Sequence, residues 1–332
     1  MARHFSKIDI FCHILPERYR KALLSKCHRN PFMEDWVRQH NEVPALFDLK
    51  LRLGMMDRHE GLGQVINIVA PPVEAAVSPS EAIELAKVGN DELAELVARH
   101  PDHFIAAVAC LPMHDMDAAL KEAERALEDL NMKGVQLYTP CHDKPLDSPE
   151  FFPLYEMMAK YDLPILLHPT SDGDRPDYKG ESCSKYRVFQ KIGWPYETTL
   201  AMVRLVMSGV LERYPSLKII THHCGAMVPY FAGRLCHREK SLDEAAGLDA
   251  GLSKPTVEYF KMFYGDTALS SYTPALMCGY AFFGADHIVF GSDSPFGVLE
   301  KKISSVEEMA IPESDKYMIF EGNARRLLHL DR

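Results

Sequence analysis

"KIDIFCHILP", Lys7 to Pro16, is an apolar run that ends on a histidine, with a proline three residues further on. Successive side chains of a strand point to opposite faces, so Phe11 and His13 share a face and Cys12 points away from them. The run reads as a strand buried on both sides with one reactive residue at its C-terminal end. Seven further runs have a similar form: "QVINIVA" (64–70), "FIAAVACL" (104–111), "GVQLYT" (134–139), "PILLHP" (164–169), "LKIITHH" (217–223), "MFYGDTA" (262–268) and "HIVFGSD" (287–293). Helical spacing of apolar residues fills the intervals, over 79–100, 115–130, 148–161, 195–214 and 313–330. The Ser148-Pro149 pair supplies an N-cap and a proline for the first turn of one of these helices. Strand alternating with helix predicts a parallel sheet, and eight such units in 332 residues predict a closed (β/α)8 TIM barrel, a single α/β domain over 1–332. Two segments interrupt the rhythm: an insertion after strand one (14–60) and a long loop after strand five (170–194).

The chain is 47% hydrophobic and 25% charged, the composition of a soluble globular protein. Its net charge of −10 argues against a general nucleic-acid binder, which needs a basic stripe, but leaves room for a small anionic substrate held by a few local arginines. No apolar stretch reaches the roughly 18 residues needed to cross a bilayer. None of the eight cysteines lies in a C-x-x-C pair, and Met1–Ser6 is short and polar. Free thiols, no signal peptide and a cytoplasmic location are therefore expected.

The polar residues fall at the strand ends. His13 ends strand one, His168 strand five, His222 and His223 strand six, Asp266 lies near the end of strand seven, and Asp293 ends strand eight. A barrel gathers all of these at one mouth. One histidine at a strand end is ordinarily a hydrogen-bonded structural residue; three strand ends with histidine and one with aspartate outweigh that reading. Imidazole with carboxylate suits Zn²⁺ or a similar first-row ion. There is no compact signature such as H-E-x-x-H, so a metal rests on convergence alone.

The motifs "DIFCHILP", "PILLHP", "ITHHCG", "GRLCH" and "VFGSDSPFG" lie in the order and at the strand ends found in the amidohydrolase superfamily. The chain most resembles its decarboxylase branch, the aminocarboxymuconate-semialdehyde and resorcylate decarboxylases, from "DIFCH" through "SGVLERYPSLKI" to the closing "GNARRLLHL". The resemblance implies metal ligands at His13, His168 and Asp293, and proton transfer by His223 with Asp293. By the same likeness His222 stands where the family commonly has glycine. It also implies a homodimer in which Arg234 crosses to hold a substrate carboxylate. One departure is clear: the family carries H-x-H or E-x-H at the end of strand one, and here it is Phe11-x-His13. The resemblance therefore implies a divalent metal, zinc by preference, in a site weakened by one ligand or abandoned, with no organic cofactor.

Phe11 would wall off one coordination position with an apolar ring. In the loop 170–194, Tyr178, Arg187 and Trp194 are candidates to stack on and pair with an aromatic acid. The leading expectation is a lyase that removes CO₂ from an aromatic or unsaturated carboxylic acid. Two alternatives stand beside it: a hydrolase of the same fold opening a lactone or amide, and a silent relative that binds a ligand.

Overall fold

The computed structural model describes residues 4–27, 31–171, 173–237 and 251–330. Eight strands run in chain order: β1 (Lys7–Ile14), β2 (Leu62–Ile68), β3 (Phe104–Ala107), β4 (Val135–Thr139), β5 (Ile165–Pro169), β6 (Ile219–Thr221), β7 (Tyr264–Asp266) and β8 (Ile288–Val289). Every hydrogen-bonded neighbour pair is parallel. The strands form two arcs, β1 to β3 and β4 to β8. Two backbone seams join the arcs into a barrel. At one, the amide of Ala109 donates to Gly134 (3.0 Å) and that of Gln136 to Ala109 (2.8 Å). At the other, Ile10 donates to Phe290 (2.9 Å), Asp293 to Phe11 (2.9 Å) and His13 to Ser294 (2.7 Å).

The inner cluster contains Ile8, Ile10, Phe11, Val65, Ala106, Val108, Leu166, Ile220 and Val289, with Leu327 and Leu328 of the last helix packed against it. A register shift between Asp9 and Cys12 explains how Ile8 and Ile10 can join Phe11 in that cluster. Asp9 belongs instead to a buried polar chain. It accepts from the Ser292 amide (2.8 Å), the Ser292 hydroxyl (2.6 Å) and Gln64 Nε2 (2.9 Å). Arg52 Nε donates to Gln64 Oε1 (2.9 Å), and its Nη1 donates to the carbonyl of His13 (3.0 Å). Most of these buried polar atoms are satisfied within the chain of bonds, which offsets the cost of burying them; Arg52 Nη2 has no partner among the described residues.

Arg52 comes from the segment 14–60, which contains three helices, Glu17–Lys26, Pro31–Asn41 and Leu49–Met56. The third is capped by Asp48, whose carboxylate accepts from the Leu51 amide. The expected helix over 195–214 is two helices, Trp194–Met207 and Val210–Arg213, because Gly209 between them adopts a left-handed conformation at φ 79°. Strands six to eight are shorter than their apolar runs. At β6 the reason is local: His223, Cys224, Gly225 and Ala226 all have positive φ and turn the chain out of the sheet. At Gly225 a side chain is also sterically barred, since a Cβ would lie 2.7 Å from the Phe283 ring. No helix among the described residues is long and apolar enough to cross a membrane.

Candidate active site

Three imidazoles meet at the carboxyl ends of the strands. His13 Nδ1 lies 2.7 Å from Asn67 Oδ1, at the adjoining end of β2. His168 Nδ1 lies 2.5 Å from the carbonyl of Pro169. His222, the residue after β6, places Nδ1 against the carboxylate of Asp266 at the end of β7. Each partner is an acceptor, so each Nδ1 carries the proton, which leaves Nε2 of His13 and His168 as a lone pair. The three side chains offer ligand atoms that all lie within 4.8 Å of one another. Asp293 closes the group: its Oδ1 is 3.4 Å from His13 Nε2 and 3.7 Å from His222 Nε2. His13 Nε2 is buried without a hydrogen-bond partner. An orphaned imidazole lone pair beside a carboxylate and a second imidazole is a donor set that fits a divalent first-row ion.

The electrostatics divide the histidines. Burial drives His168 well below the ordinary histidine value, and the charge on His222 adds to it. Burial opposes protonation of His222 too, but the Asp266 carboxylate, helped by Asp293, overrides it and raises His222 to about 9. Asp293 behaves in the opposite sense: burial alone would raise it, yet the imidazoles of His13 and His222 beside it, with the charges of Lys302 and His222, hold it well below the carboxylate range. These shifts favour a neutral His168, a charged His222 and an ionised Asp293.

His13, His168 and Asp293, expected as ligands, are brought together. His223, expected as the proton carrier, stands at the edge. Its ring is 3.9 Å from that of His222 and faces Trp194 at 6.4 Å, and its Nδ1 has no partner. Burial and the charge on His222 lower its pKa to about 3. The inner position belongs to His222, the residue that the resemblance set against a glycine. Phe11 packs against one side of the imidazoles, 4.2 Å from His222, 5.8 Å from His13 and 6.0 Å from His168. Trp194 reaches the site, with its ring 5.7 Å from His168 and its Nε1 donating to the Ser171 carbonyl (2.8 Å). Tyr178 does not join it: the side chain is 76% exposed. Arg187 is exposed and donates to Gln39 of the helix Pro31–Asn41 (3.2 Å), so it ties the long loop to the insertion. Arg234 sits exposed on the helix Val228–Leu235 beside Tyr230 and Phe231.

Sequence reasoning gave no role to Asn67, Trp36, His40 or Phe296, and noted Asp266 only as a strand-end residue. Trp36, with its indole N–H on the carbonyl of Ala70, anchors the insertion helix to the end of β2. Phe296 follows Asp293 and meets both His13 (6.1 Å) and His40 (6.0 Å).

A closed parallel barrel with imidazoles and carboxylates gathered at the carboxyl ends of its strands has the layout of a barrel enzyme. The chain belongs to the amidohydrolase family, whose model it matches over residues 8–330. It is 31% identical over 308 residues to the gamma-resorcylate decarboxylase of Polaromonas sp., covering 90% of this chain and 92% of that one. It is 32% identical to the gamma-resorcylate decarboxylase of Rhizobium radiobacter, over 89% of this chain and 91% of that one. Among solved structures, it is similar to the Polaromonas dihydroxybenzoic acid decarboxylase with bound manganese and the inhibitor 2-nitroresorcinol. That likeness has a TM-score of 0.78 and 27% identity, and covers 99% of this chain and 98% of that one.

Proposed function

We propose that this chain is a carboxy-lyase that removes CO₂ from an aromatic or unsaturated carboxylic acid, with His13, His168 and Asp293 holding a divalent metal. The likeness to decarboxylases supports the reaction class. The observation within the site that carries the reading is the His222–Asp266 pair, a proton donor set beside two free imidazole lone pairs.

When bound, a divalent metal held by His13, His168 and Asp293 would supply charge withdrawal from the substrate. His222 carries the proton. Its Nε2–H faces the cluster while Asp266 holds Nδ1, so the ring can donate to the carbon that bears the carboxylate. Loss of CO₂ from the protonated carbon then returns the electron pair of the broken carbon–carbon bond to the π system. Solvent water restores the proton on His222. Asp293 stabilises the imidazolium before transfer, and Phe11 lies flat against the ring of His222 and fixes its plane. Phe11 also presents an apolar surface where hydrolysis would need a placed water, which favours decarboxylation over lactone or amide opening.

Manganese in the related Polaromonas structure makes Mn²⁺ as reasonable an occupant as Zn²⁺. Trp194 and Phe296 form the apolar walls for a flat substrate. Tyr196 and Leu200 are exposed on the helix Trp194–Met207, and Tyr230 and Phe231 are exposed on the helix Val228–Leu235, which packs against it. This apolar face, with Arg234 beside it, supports a homodimer. The free thiols agree with a cytoplasmic protein.

The test is CO₂ release from a panel of hydroxybenzoates and muconate-type acids, alongside hydrolysis of lactones and anilides and elemental analysis of the protein. Release of CO₂ from at least one acid, faster with added Mn²⁺ or Zn²⁺, is expected. Hydrolysis without any CO₂ release overturns the reading.

A further inference from the structure

We propose that His40, on the insertion helix Pro31–Asn41, reads the ring edge remote from the reacting carboxylate by accepting a hydrogen bond from a hydroxyl or amino substituent. This deepens the decarboxylase reading above and rests on it for where the carboxylate sits.

The argument begins with the helix. Trp36 and His40 are four residues apart and so share one face of it. Their rings stack at 4.2 Å and 30°. The indole N–H of Trp36 is tied to the carbonyl of Ala70, at the end of β2, which fixes this face of the helix over the barrel mouth. His40 Nδ1 lies 2.7 Å from the carbonyl of Trp36. A carbonyl only accepts, so Nδ1 carries the proton and Nε2, at the opposite corner of the ring, is an acceptor. No partner for Nε2 is found among the described residues. Burial holds His40 down to about 4, so the ring is neutral at physiological pH and the acceptor is available.

The ring of His40 stands perpendicular to that of Phe296 (6.0 Å, 89°), and Phe296 in turn leans on His13 (6.1 Å). One aromatic wall therefore runs from the metal-ligand cluster to His40. An arene acid lying along Phe296 with its carboxylate at His13 and His168 brings its far edge toward the insertion helix. His40 is the polar side chain on that wall. A hydrogen bond to a half-buried acceptor discriminates strongly when the wrong ligand leaves the acceptor dry and unpaired.

The experiment measures calorimetric affinities of the metal-loaded wild type, His40→Phe and His40→Gln for benzoate, 4-methylbenzoate, 3-hydroxybenzoate and 4-hydroxybenzoate. Wild type should favour at least one hydroxylated acid over benzoate by about tenfold, the worth of one good neutral hydrogen bond. His40→Phe should abolish that ratio while still binding benzoate, and His40→Gln, which keeps an acceptor, should restore part of it. The proposal is overturned if wild type shows no preference, or if His40→Phe leaves the ratio unchanged. A wild type that shows the ratio but releases CO₂ from no acid of the hydroxybenzoate and muconate-type panel sinks the decarboxylase reading alone. A wild type that binds none of them sinks both.

Discussion

Phe11 stacks on His222, with ring centroids 4.2 Å apart and planes inclined by 22°. A residue type that cannot ligate thus packs against a ligand cluster and braces the imidazole best placed to move a proton. The prediction is that the purified protein holds metal below one ion per chain, or loses it readily to a chelator. Phe11→His should raise occupancy and alter turnover, as read by elemental analysis and CO₂ release. If wild type already keeps one ion per chain through chelation and Phe11→His changes nothing, another group fills the coordination gap.

His222→Asn should lower kcat by about 10²–10⁴-fold, the usual share of acid–base catalysis. Asp266→Asn should lower it as well, because the amide cannot stabilise the imidazolium. Metal content should persist in both, since His13, His168 and Asp293 remain. His223→Asn should cost less than His222→Asn. A larger loss at His223 would return the proton to the residue first expected to carry it.

Arg234→Ala should leave folding intact and reduce turnover, because the side chain is exposed and lies beside an apolar face. Tyr230→Glu with Phe231→Glu should convert a dimer to a monomer in light scattering. A wild type that is monomeric at micromolar concentration removes the basis for both expectations.

Glu74 makes a pH-dependent prediction away from the imidazoles. It lines a cavity of about 830 Å³ beside the ends of β4 and β5, yet the residue is only 6% exposed. Burial raises its pKa to about 8, slightly opposed by hydrogen bonds that include the Cys141 thiol. The folded state therefore binds a proton that the unfolded chain releases above pH 4.5. Stability from this group is complete below pH 4.5 and is lost as pH rises toward about 8. The loss is on the order of a few kcal/mol. Glu74→Gln should flatten that part of the stability profile in urea titrations at several pH values. An unchanged slope would show that Glu74 is ionised in the folded protein.

The barrel and its mouth were legible because buried parallel strands write themselves as apolar runs, and a polar residue at the end of such a run stands out. His13, His168 and Asp293 were visible for that reason. The choice between His222 and His223 was not. Period-two alternation holds only while the chain is a strand, and the chain leaves the strand at that point, with φ 59° at His223. Asn67 is marked in the sequence only as a lone amide inside the apolar run "VINIVA". Trp36 and His40 had helical spacing, but only tertiary packing puts their helix over the mouth. The exposed placement of Tyr178 was not legible either: aromatic content in a loop does not say which way the loop turns.

The seam between the two ends of the chain makes the site a late event in the life of the molecule. Ser292 and Asp9, which hydrogen-bond across it, are 283 residues apart in sequence. Asp293 takes its place by donating its amide to Phe11, and His13 by donating to Ser294. During synthesis the ribosome releases β1 first and β8 last, so a nascent chain carries His13, His168 and His222 long before it has anything to hold them in register. Closing so long a loop is slow, and the edge strands stay open until it happens. Full assembly of the four side chains is thereby a checkpoint on complete folding: a truncated or half-folded chain owns the histidines without owning the site.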